Sequence, residues 1–131
     1  NTYYIWQALE AYKPKVAIIE YNGAIPPSVD YKLPYERDAV WTGSGSFGAG
    51  LKSYELLGEK MGYRLVGCDL TGVNSFFVRE DLVQDHFLEP FTAERHFEPL
   101  RLHLLRNPQY PRSFDWGAVP RETKVGRDDP A

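Results

Sequence analysis

The stretch from Leu51 to Glu80, "LKSYELLGEKMGYRLVGCDLTGVNSFFVRE", constrains the fold more than any other part of the chain. Leu51, Tyr54, Leu57 and Met61 recur at helical spacing, and Gly62 stands where a left-handed C-cap belongs. Two apolar runs follow at once, "YRLVGCDL" and "NSFFVRE", separated by Thr71-Gly72-Val73, a connection short enough only for a β-hairpin. Upstream, "KVAIIEYNG" holds a β-branched run, Val16 to Ile19, without an alternating polar face, which suits a strand covered by helices on both sides; Gly23 ends it. Before it, Tyr4, Ile5, Ala8, Leu9 and Tyr12 lie at helical spacing and Lys13-Pro14 supplies a stop. The order is therefore helix, strand, long loop, helix, strand, strand, and the fold class is α/β. A strand–helix–strand crossover implies a parallel pair, to which the hairpin adds one antiparallel strand.

A chain of 131 residues has room for one small core. Its 43% hydrophobic and 15% aromatic residues, against 25% charged, supply the apolar surface that folding requires. A net charge of -3 and a pI near 5.6 give no basic face of the kind a phosphate backbone needs, so nucleic acid is not an expected partner. The single cysteine, Cys68, allows no internal disulfide and fits a reducing compartment; no apolar run reaches the length of a membrane span, and no basic-then-apolar leader opens the sequence. The expectation is a soluble, cytoplasmic protein without membrane partners. With no Met before Asn1, the chain reads as cut from a longer one.

From Ala24 to Val40 the sequence carries Pro26, Pro27 and Pro34, which predicts a long loop, and Tyr31, Tyr35 and Trp41 suggest an ordered one that faces a ligand. It leads into "TGSGSFGAG", where Gly43, Gly45 and Gly48 have the spacing G-x-G-x-x-G of a dinucleotide-cradling turn, and Asp69 falls about 20 residues on, where a ribose-binding acid belongs. Such a turn must follow directly on a buried strand. Here "YERDAVWT" precedes it, so the glycines read as backbone geometry at the entry to a helix.

"NTYYIWQAL", "KPKVAIIEYNG" and "GSFGAGLKSYELLGEKMGYRLVGCDLTGVNSFFVREDL" together resemble the C-terminal half of FkbM-like class I S-adenosylmethionine-dependent methyltransferases, over Asn1 to about Leu82. The resemblance implies a Rossmann-like sheet ordered 3-2-1-4-5-7-6 with an antiparallel last strand. On it "KVAIIEYN" matches the fifth strand, "LKSYELLGEKMG" the last helix, and "RLVGCDL" with "NSFFVRE" the final hairpin. Asn1 would stand just after an upstream strand with an acidic-Gly end. The family's cofactor loop and ribose acid both lie before Asn1, so S-adenosylmethionine is implied for the whole protein and is not expected to bind these residues. The predicted division is residues 1–82 as half of a methyltransferase-like domain and residues 83–131 as an extended, partly helical tail.

In open α/β sheets ligands bind beyond the carboxyl ends of the strands. That edge carries Glu20, Asn22 and Asp69, with Trp41 on the covering loop, and these four are the candidate substrate contacts. Glu20, the candidate catalytic group, can act as a base, orient a hydroxyl or accept hydrogen bonds from loop amides; Asn74 is expected to fix the hairpin turn. His86, His96 and His103 with Glu89, Glu94 and Glu98 lack metal-ligand spacing, and no metal site is expected. Cys68 reads as core filler. In the tail a short helix is expected from Pro99 to Arg106, and "NPQY", Asn107 to Tyr110, reads as a turn. Three functions follow: the substrate side of a methyltransferase, inactive as this piece; a non-catalytic binding or assembly module; and a small dinucleotide-binding domain. A small-molecule substrate is the expected ligand. The uncovered strand Val16–Ile19 and the first helix, with Tyr4, Ile5 and Trp6, are expected to build a homodimer.

Overall fold

The computed structural model describes residues 1–101 and 104. Helix α1 spans Thr2–Ala8 and continues as a 3-10 turn, Glu10–Tyr12; strand β1 spans Val16–Glu20, helix α2 Leu51–Met61, strand β2 Tyr63–Cys68, strand β3 Asn74–Arg79, and a short helix α3 Ala93–His96. The three strands form one open sheet in the order β1-β3-β2. β3 pairs antiparallel with both neighbours, Val16 opposite Val78 on one side and Tyr63 opposite Arg79 on the other. β1 and β2 thus point the same way without touching. The parallel pair expected from the crossover is replaced by an insertion: the hairpin folds β3 back between them. β3 is suited to the centre because Ser75, Phe77 and Val78 are all buried, so it is the strand with packing on both faces.

The core lies between the sheet and α2. Leu51, Tyr54, Leu57 and Met61 are all buried, as their spacing predicts, and Gly62 closes the helix at φ +83°, a conformation glycine adopts at little cost. Two expectations fail upstream. In β1 only Ala17 and Ile19 point into the core, while Val16 and Ile18 are 53% and 62% exposed, so the strand is covered on one face and lies at the edge of the sheet. A run of apolar residues hides the period-2 alternation that burial imposes. In α1 the buried residue is Trp6, whose ring centre lies 4.7 Å from that of Phe77; Ile5, Leu9 and Tyr12 are exposed, and Ala8 faces outward. The helix is only seven residues long, and the tighter turn after it breaks the repeat on which the predicted stripe rested.

Packing continues past Leu82. Val83 and Ala93 are buried, the Glu55 carboxylate accepts the Ala93 N–H, the Tyr21 hydroxyl donates to the Glu98 carbonyl, and the Arg101 N–H donates to Thr71 O. Lys52 bridges Glu55 and Glu94 at 3.1 and 3.0 Å. α3, unforeseen in the sequence, is capped by Thr92, whose hydroxyl accepts the Arg95 N–H. Pro99, Leu100 and Arg101 are not helical, contrary to the helix expected from Pro99; residues 102, 103, 105 and 106, like Asn107 to Tyr110, lie outside the described residues.

A candidate cleft at the carboxyl end of the first strand

Where β1 ends, Asn22 takes over as an anchor. Its side chain is buried; its Nδ2 donates to the carbonyls of Gly45 and Phe47 at 2.8 and 3.1 Å, its Oδ1 accepts from the Ala24 N–H at 3.1 Å, and its own N–H donates to Ala49 O. One side chain thereby pins both ends of a loop of nearly thirty residues, whose middle is held by a Lys32–Ala49 bridge and by Ile25 and Tyr31, buried in a small second core. The loop is ordered, as expected, but Tyr31 turns inward. Of the three aromatics marked in the sequence, Tyr35 and Trp41 are exposed.

The pinned loop and the start of α1 enclose a cleft of about 350 Å³ beyond the end of β1. Glu20, Trp41, Phe47 and Gly48 line it together with Asn1 and Thr2. The Trp41 and Phe47 rings meet edge to face at 6.5 Å, and the Trp41 indole N–H donates to Ser44 O at 2.9 Å. Gly48 holds φ +61°, and a Cβ built on it would stand 4.0 Å from the Tyr54 hydroxyl. That hydroxyl is buried without a hydrogen-bond partner among the described residues; burial, with the charge of Glu20 nearby, pushes its pKa well above the usual range.

The structure therefore brings Glu20 and Trp41 together and treats Asn22 and Asp69 differently. Asn22 lies behind the cleft with its polar atoms engaged by the loop. Asp69 sits at the same sheet edge, on the far side of Asn74, and is the knot of the hairpin turn: its carboxylate accepts from the N–H groups of Thr71, Val73 and Asn74, the Thr71 hydroxyl and the Asn74 amide. Burial raises the Asp69 carboxyl, but these bonds outweigh it and leave its pKa below the ordinary carboxylate value. Asn74 has the turn-fixing place the sequence suggested. Phe47 escaped the sequence reading, although an aromatic among small residues in a glycine-rich loop was a signal.

The other groups stay apart from this cleft. The Cys68 thiol is pushed up to about 12 by burial, a weak nucleophile. His96 is shifted down by burial and by Arg95, and its Nε2 is buried without a hydrogen-bond partner among the described residues. Among the described residues no three His, Cys, Asp or Glu side chains are placed to hold a metal ion, and no helix is long and apolar enough to cross a membrane; His103 lies outside them. Comparison with protein-family models, with curated proteins and with solved structures finds no match to the chain.

Proposed function

We propose that the chain is the substrate side of a Rossmann-like, S-adenosylmethionine-dependent methyltransferase, whose cleft beyond β1 receives the methyl acceptor. The observation that carries this reading is the strand order. β1-β3-β2, with β3 antiparallel to both neighbours, is the order in which the sheet of the FkbM-like family ends, 5-7-6 with strand 7 reversed. The cleft lies beyond the carboxyl end of β1, where open α/β sheets bind their ligands. Glu20, exposed at that strand end, is positioned to take a proton from an acceptor or to orient it.

The residues present do not fit the methyl donor itself. The turn after β1 is closed, since a Cβ on Gly23 would come within 2.5 Å of Gly72 O. The Gly43–Gly50 loop follows no strand and gives its Gly45 and Phe47 carbonyls to Asn22, and the Asp69 carboxylate is taken up by its own turn. On this reading the donor site is built by residues encoded before Asn1. The reading frame upstream of that codon tests it: a strand, a glycine-rich turn and a later strand ending in an acid are expected there, and a frame that opens at Asn1 contradicts the proposal.

We also propose that the 131-residue chain alone pairs with a second copy through β1 and α1. An edge strand with Val16 and Ile18 exposed recruits another chain, and Ile5, Leu9 and Tyr12 are exposed as well. Trp6 takes no part, being packed inside. Sedimentation equilibrium at micromolar concentration is expected to show a two-fold dimer, and Ile18→Lys a monomer; a folded monomer indifferent to that charge would overturn the pairing.

A further inference from the structure

The cleft beyond β1 does not stand alone. Thr2, Gly48 and Asn1 also line a second hollow of about 320 Å³, walled by Tyr4 and Tyr35, whose rings meet edge to face at 5.4 Å, and bordered by Glu36. The two form one groove across the start of α1. The charged side chains that line it are the carboxylates of Glu20 and Glu36, set beside the rings of Trp41, Phe47, Tyr4 and Tyr35, and among the described residues no Lys or Arg side chain lines either part. Lys32 lies over the Tyr3 ring at 4.9 Å and does not itself line the groove.

Ring faces carry negative potential, and a carboxylate beside them adds a full charge, so such a wall attracts organic cations and repels phosphates and carboxylates. The apolar rings cover a hydrocarbon body while the carboxylate pairs with its charged end. A neutral or anionic ligand gains little from Glu20.

We propose that this groove binds an aliphatic amine as its ammonium ion, with the charged nitrogen at Glu20 and the carbon chain against Phe47 and Trp41. This gives a ligand class to the cleft of the proposed function and rests on that reading only for calling the amine an acceptor. Binding requires no methyl donor, so its failure leaves the strand order and the placement of the donor site untouched.

Titration of the ¹⁵N-labelled chain with n-butylammonium chloride at constant ionic strength tests the site, with n-butanol as the neutral isostere. The ammonium salt is expected to shift the Trp41 indole N–H and the Gly48 amide saturably, and butanol is not. Glu20→Gln, a change at an exposed strand end, is expected to weaken binding about tenfold while leaving the remaining amide spectrum in place. Equal shifts from butanol, shifts confined to residues outside the groove, or unchanged affinity in Glu20→Gln would each overturn the assignment.

Discussion

Asn22→Leu is expected to destabilise the fold by about 3 kcal/mol, because it strips partners from three backbone groups and leaves a leucine against carbonyls. Each buried polar group that loses its bond costs about 1–3 kcal/mol, and Gly45 O, Phe47 O and the Ala24 N–H all lose theirs. The loss is local before it is global. The loop from Gly23 to Gly50 is joined to β1 chiefly through this side chain and the Asn22–Ala49 backbone bond, so its amides should exchange with solvent faster than those of α2 and β3. Urea unfolding with exchange read residue by residue checks both parts. A loss below about 1 kcal/mol, with loop exchange unchanged, would mean that Asn22 is free to serve a ligand instead.

Phe77→Ala should cost about as much or more, about 3–5 kcal/mol, as for other large aromatics removed from a close-packed core. Phe77 is fully buried in the central strand, opposite Ala17 on one side and Leu65 on the other, and stacks against Trp6. Truncation would leave a cavity lined by groups from both β1 and β2. Since this ring joins α1 to the sheet, quenching of Trp6 fluorescence should rise together with the fall in denaturation midpoint. A cost near that of an exposed substitution would show that the helix and sheet are not held at this point.

The two largest effects fall on residues that the sequence marks unequally. Phe77 stands in an apolar strand beside a hairpin turn, and Leu51, Tyr54, Leu57 and Met61 repeat at a period that only a helix explains; burial of such groups is legible because periodicity is a local property. The edge position of Val16–Ile19 was expected, but the exposure of Val16 and Ile18 was not legible, since an unbroken apolar run does not show that only one face of the strand is covered. Nor was the length of α1, where Trp6, packed against Phe77, is the buried residue in place of the predicted stripe. In the cleft, Glu20 and Trp41 were found from their places at a strand end and on a long aromatic loop. Asn22 and Asp69 came from the same rule, but a sequence cannot tell whether a polar side chain faces out to a ligand or back to its own loop. That is decided by backbone groups left without partners, and both residues were drawn to them: Asn22 to the glycine loop, Asp69 to the hairpin turn.

The proposed function divides the labour, with the acceptor cleft in these residues and the methyl donor held by residues before Asn1. Isothermal titration of S-adenosylmethionine into the 131-residue chain, and side by side into the protein obtained by following the reading frame upstream, tests it most directly. Saturable heat from the longer protein and none from the chain is the predicted result; saturable binding at micromolar donor by the chain alone, or none by either protein, would contradict it.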